Sequence, residues 1–223
     1  MKSLNNMDNR DRFEGVMEKL AGRLINIVLL GFFSVLCSLP LVTVGASLTA
    51  LHDAMSQYVM YDADRTLNIF FTSFKKYFKT ATLVWLMHAA ALAILVVDYL
   101  YYKGGDTTID IIAQAAIFTL IAVLVFEMLM VFVVISQDMA DNAWAAFKKA
   151  LNISFTCLFE TVTLLILNIG IPILSAFIMP GFLLVLPGVI TYFSWLIIPK
   201  MLKKYKFKRG NAEYQRERRK NSN

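Results

Sequence analysis

Four ionisable residues, His52, Asp53, His88 and Glu127, stand inside stretches otherwise made of apolar and small side chains. A charged group at bilayer depth costs about 2.5–3.5 kcal/mol on insertion scales, so each needs a reason to be there. His52 and Asp53 are sequence neighbours and would point about 100° apart on a helix, so each is free to pair with a different helix. Asp53, His88 and Glu127 could form a buried polar cluster that carries a proton or contacts a solute. The same three could instead be a hydrogen-bond network that fixes helix register, and this is the favoured expectation because no second cluster and no polar-lined path accompanies them. Two histidines on separate helices, without a local spacing signature, do not define a metal site, and none is expected. The chain contains no G-x-S-x-G, no Walker loop, no H-E-x-x-H and no C-x-x-C. Neither enzymatic activity nor a cofactor is expected.

The elements that must position these residues are hydrophobic runs. Of 223 residues 58% are hydrophobic and only 17% charged, more apolar than the roughly 45–50% usual for a soluble domain. The excess is gathered into runs of a length that can cross a hydrocarbon slab. Runs at 24–39, 81–101, 111–135 and 155–179 are unambiguous, and a fifth at 182–198 follows the turn Met179-Pro180-Gly181 as the second arm of a hairpin. The stretch 42–60, which holds His52 and Asp53, is too polar to sit alone in lipid. If it crosses, 21 of the 22 lysines and arginines fall on one side, leaving Lys103 opposite. The bias of basic residues to the cytoplasm favours that arrangement. The reading is an all-α polytopic membrane helix bundle with about six transmembrane helices and both termini cytoplasmic in the cell membrane. Residues 1–22 form a cytoplasmic amphipathic segment, not a cleaved signal, 23–200 the bundle and 201–223 a basic cytoplasmic tail. That tail is expected to grip anionic lipid head groups; nucleic acid is not an expected partner. Cys37 and Cys157 read as small packing residues.

Two basic, aromatic stretches of similar design stand out, FTSFKKYFKTAT from Phe71 and WAAFKKALNISF from Trp144. In the first, Phe70, Phe71, Phe74 and Phe78 recur at helical spacing beside Lys75; in the second, Trp144 and Phe147 do so beside Lys148. Both are read as cytoplasmic amphipathic elbow helices joining an inbound span to an outbound one, with Asp138 or Asp141 as N-cap of the second. They serve either as interfacial anchors or as docking helices for a cytoplasmic partner. Their likeness makes 42–102 and 111–179 a candidate parallel repeat.

The stretch LCSLPLVTVGASLTAL, with Pro40, Thr43, Gly45 and Ala46, followed by FFTSFKKYFKTAT, resembles the signature of the YesL-like family of uncharacterised bacterial membrane proteins. The resemblance is sharp over residues 24–90. It implies a Gram-positive membrane protein encoded beside carbohydrate importers of the ABC class and glycan-degrading enzymes. An accessory or regulatory subunit contacting the permease subunits of such an importer is the function that follows. An independent small-solute transporter or channel using Asp53, His88 and Glu127, and a structural assembly factor, are the alternatives. In the corner itself, Pro40 is expected to end the first helix, and Gly45 to let the returning helix approach it closely.

Overall fold

The computed structural model describes residues 2–105, 107–178 and 180–220, with side chains described for these except 2–13, 16, 19, 178, 180, 182 and 211–220. Met179, part of the expected turn, and the basic side chains beyond Gly210 lie outside the described residues. Within them every regular element is a helix: α1 (Lys2–Ser38), α2 (Val44–Tyr61), α3 (Thr66–Tyr102), α4 (Thr108–Ser136), α5 (Ala143–Thr156), α6 (Leu158–Leu165), α7 (Ile171–Ile178) and α8 (Leu186–Lys220). The fold is an all-α bundle. Four stretches are long and apolar enough to cross a membrane: Leu20–Ser38, Thr66–Tyr102, Thr108–Ser136 and Leu158–Phe177. Of the six expected spans, α2 and the start of α8 are helices that do not reach that apolarity alone.

Local chemistry explains the boundaries. Pro40 ends α1 and opens a single 3-10 turn, Leu41–Thr43. The Thr43 hydroxyl donates to the carbonyls of Cys37 (2.6 Å) or Pro40 (2.7 Å), satisfying acceptors left over at the helix end. Asp62 takes a left-handed conformation (φ 51°) to close α2. A reciprocal capping box of Thr107 and Asp110 starts α4. Between α6 and α7 the helix widens into a π turn, Ile166–Gly170. Pro172 lacks the N–H that would continue the α pattern, and the Asn168 amide takes up the Leu164 carbonyl at 2.8 Å.

The first elbow is not a separate helix. No glycine or proline interrupts Thr66–Tyr102, so elbow and span form one α-helix of 37 residues, about 55 Å long. The second elbow, α5, is separate: the backbone breaks at Cys157 (φ −119°, ψ 52°), where the Thr161 hydroxyl lies 3.0 Å from the Cys157 carbonyl. The two halves of the candidate repeat thus differ in form.

Around α2 the bundle closes. Gly45 to Ser56 are buried except for part-buried Leu48, with neighbours from α1, α3, α4 and α8. Its polar groups are spent inside the bundle, which is why its composition falls short of a lipid-facing span. Its register corrects one expectation. Gly45 lies against Ala81, Asp53 against Ser73, and the Leu41 carbonyl accepts from Trp85 Nε1 at 2.7 Å. So α2 runs antiparallel to Thr66–Trp85, the half of α3 that carries the first elbow, and not beside the apolar half that follows. The first elbow, expected as a helix apart from the spans, is therefore a direct packing partner of α2. Beyond Trp85, α3 extends seventeen residues further, about 25 Å, with α4 returning along it through Tyr99–Phe118 and Gln114–Tyr102 contacts. The molecule has a multi-helix tier and a projecting α3–α4 hairpin.

Across the bundle α8 runs unbroken from Leu186 to Lys220 through Pro199, and Met201 and Tyr205, inside the expected tail, are buried in the core. It crosses α1 at Gly31 and Gly188, where small residues let two backbones meet.

Candidate functional site

Two places gather the residues whose types could do chemistry. The first is a buried pair where the α3–α4 hairpin leaves the bundle. His88 of α3 is four per cent exposed and Glu127 of α4 not at all. His88 Nε2 lies 2.5 Å from Glu127 Oε2, and Nδ1 lies 2.8 Å from the Val84 carbonyl. A carbonyl only accepts, so Nδ1 carries a hydrogen, and the Nε2–Oε2 contact needs one more proton between its atoms. The pair holds two protons and no net charge, whichever atom the shared proton is bonded to. Glu127 Oε1 has no partner. Neutrality as a unit is what makes burial among apolar helices tolerable. A small cavity of about 200 Å³ beside His88 is walled by Val84, Met87, Leu124, Trp144 and Phe147.

Asp53 does not join them. Its carboxylate accepts from the Ser73 hydroxyl at 2.5 Å and from the Gln57 amide at 3.2 Å. Ser73 is fifteen positions from His88 along α3, about 22 Å of helix rise. His52 is buried against the Trp195 ring, centroids 6.5 Å apart, with Nδ1 unpartnered. The expected three-residue cluster therefore resolves into the His88–Glu127 pair and a separate Asp53, with His52 apart from both. Among the described residues no group of three or more His, Cys, Asp or Glu could hold a metal ion.

The second place is the basic region around the α4–α5 loop, which is held from both sides. Lys76 donates to Asp138 Oδ2 at 2.5 Å and to the Tyr77 hydroxyl at 2.8 Å; Lys149 donates to the Met139 carbonyl at 2.7 Å. The two lysines occupy matching positions in the two elbow motifs. Asp138 itself has φ 48°, and the N-cap of α5 is neither expected aspartate but Asn142, whose Oδ1 accepts from Ala145 N at 2.8 Å. Sequence alone pointed to a capping aspartate; the carboxylate is used instead as the partner of Lys76.

Of the first elbow's aromatic stripe, Phe70 is fully buried and Phe74 half-buried, while Phe71 and Phe78 are exposed with Lys75. Phe71 meets Phe33 of α1 edge-on at 5.6 Å. That stripe is largely consumed by the bundle. The second is more open: Trp144 is 58% exposed, stacks on Phe147 at 5.7 Å and carries Lys148 Nζ 5.1 Å above its ring. At the corner, Gly45 and Ala46 are buried, while Pro40 is exposed and Thr43 half-buried. Gly45 serves the α2–α3 crossing and not the expected α1–α2 approach: an added Cβ would fall 2.4 Å from the Ala81 carbonyl oxygen and 2.6 Å from Trp85 Cβ. Contact of α2 with α1 is made by Ser47, whose hydroxyl donates to the Ser34 carbonyl at 2.7 Å.

Fold and apolar helices together define a helical protein with the build of a membrane protein. Residues 24–99 match a family described as "Protein of unknown function, DUF624". The matched stretch runs from the apolar part of α1 through the corner and α2 to Tyr99 of α3. No curated protein and no solved structure matches the chain.

Proposed function

We propose that this chain is an accessory membrane subunit, multi-pass with its basic end in the cytoplasm, that docks on the permease subunits of a carbohydrate importer of the ABC class. The YesL-like character of residues 24–90 suggests the importer. The observation that carries the docking role is the Lys148–Trp144–Phe147 stack, in which Trp144 is over half exposed, on a helix that is capped, clasped and set apart from the span that follows it. Exposed aromatic anchors flanked by a cation are the residue types enriched where partners bind tightly.

Co-purification in mild detergent with the permease subunits of the adjacent importer tests this reading. Retention by the parent and loss in Trp144→Ala are expected. Reproducible absence of the permease, with normal sugar uptake in a deletion strain, overturns it. Orientation is tested in sealed vesicles of known sidedness: a cysteine placed at Lys206 labels from the cytoplasmic side.

A second reading, a small-solute transporter or channel in its own right, has the His88–Glu127 pair in its favour, a buried unit holding one shareable proton. Solute flux through the purified protein in liposomes, sensitive to Glu127→Gln, separates it from the first. A structural assembly factor would show partners without either flux or an effect on uptake.

A further inference from the structure

A cleft of about 860 Å³ lies between α5 and the far part of α8, bounded on its third side by the α4–α5 loop. Its volume is that of a ligand site and not of a packing defect. Lys148 and Lys149 line it from α5 and Lys208 and Arg209 from α8, with Asp141 the one carboxylate among its described lining residues. Two of the ammonium groups are held in place by uncharged acceptors: Lys149 by the Met139 carbonyl at 2.7 Å and Lys208 by the Thr156 carbonyl at 3.3 Å. Each bond occupies one of three N–H donors and neutralises nothing, so charge and donors remain for a ligand. The Thr156 hydroxyl donates to Asn152 Oδ1 at 3.3 Å, which leaves the Asn152 NH₂ as a neutral donor in the same cleft.

We propose that this cleft binds one phosphate-bearing anion. Several cations converging on a concave wall, with fixed ammoniums and an amide donor beside them, match the oxygens of a phosphate group. Its position says more. The cleft opens where α5 gives way, at Cys157, to the membrane-crossing stretch Leu158–Phe177, and its rim includes Phe155, which is 55% exposed. A cationic site with an apolar lip at the mouth of a membrane helix suits a phospholipid head group, with a free phosphate as the other source of the same chemistry. This site is discrete, unlike diffuse attraction to the tail beyond Gly210, and it stands whether or not the importer is the partner.

The test uses the full chain, purified in detergent and depleted of lipid, with retained ligand counted by native mass spectrometry. Phosphatidylglycerol, phosphatidylcholine and inorganic phosphate are titrated separately and in competition. One phosphatidylglycerol bound in preference to phosphatidylcholine, and not displaced by millimolar phosphate, supports the site with a lipid source. Displacement by inorganic phosphate supports the site with a soluble source. In Lys148→Glu/Lys208→Glu either affinity falls at least about tenfold, while Lys203→Glu/Lys206→Glu, the same charge change at two exposed residues outside the cleft, binds as the parent does. Lys148→Gln, an exposed single change, guards against misfolding of the double variant and weakens binding in the same direction. Equal binding by parent, Lys148→Gln and the double variant, or no preference for either phosphate source over phosphatidylcholine, overturns the proposal.

Discussion

Gly31 of α1 and Gly188 of α8 meet backbone to backbone. A Cβ added at Gly31 would lie 2.8 Å from the Gly188 nitrogen, and one added at Gly188 would lie 2.9 Å from the Gly31 nitrogen and 2.1 Å from the Ile27 carbonyl oxygen. Backbone cannot step aside as a side chain can, so the helices themselves must separate. Gly188→Val should cost at least about 3 kcal/mol, the upper end for overpacking, and lower accumulation in the membrane. Gly104→Val, with nothing within 4 Å of its added Cβ, is the matched control. Thermal unfolding in detergent checks both; a Gly188→Val protein melting with the parent contradicts this crossing.

At Gly45 the expected damage is more local. Gly45→Leu drives a side chain into the Ala81 carbonyl and Trp85, so α2 and α3 should part while α1 and α2 stay joined. The Ser34 and Ser47 hydroxyls are 3.0 Å apart, so cysteines at these positions, with Cys37 and Cys157 replaced by alanine, should cross-link. That cross-link should persist in Gly45→Leu, while the melting temperature falls. Loss of the cross-link at an unchanged melting temperature would return Gly45 to the α1–α2 corner.

The His88–Glu127 pair makes a chemical distinction between variants. Glutamine at 127 can donate an N–H to His88 Nε2 while Nδ1 keeps its bond to Val84, so Glu127→Gln should be close to neutral in stability. Glu127→Ala leaves His88 Nε2 buried without a partner, at about 1–3 kcal/mol, and opens a cavity as well. Melting temperatures of the two variants in the same detergent decide it. Equal, large losses in both would show that the pair depends on the carboxyl group itself.

What the sequence could disclose follows from what hydropathy measures. Run lengths and basic flanks mark helices and their ends, so α1, α3, α4 and the α6–α7 span are legible, as are the breaks at Pro40 and near Pro180. Depth is not. Nothing in the composition of α2 says whether Asp53 faces Ser73 or His88, since both lie on α3 and either would satisfy a carboxylate. Only the register, set by Gly45 on Ala81, decides between them. Gly31 and Gly188 were equally silent, because glycines 157 positions apart signal a crossing only once the helices carrying them are paired. The spacing of Lys76 and Lys149 in matched motifs did hold a signal: both reach the α4–α5 loop.

Lys204 of α8 and Glu160 of α6 join the two helices. The Glu160 carboxylate holds the Lys204 ammonium above the ordinary lysine value of 10.5. A folded-state pKa raised in this way contributes stability in full below that ordinary value, and the contribution disappears as pH rises through the shifted one. The pair is partly open to solvent, so its share is screened. Lys204→Met should therefore melt slightly below the parent from neutral pH up to about 10, and the gap should close only in stronger alkali. Raising salt at neutral pH should narrow it too. A gap that stayed constant through strong alkali and high salt would mean that Lys204 supports the fold through its hydrocarbon stem and not through its charge.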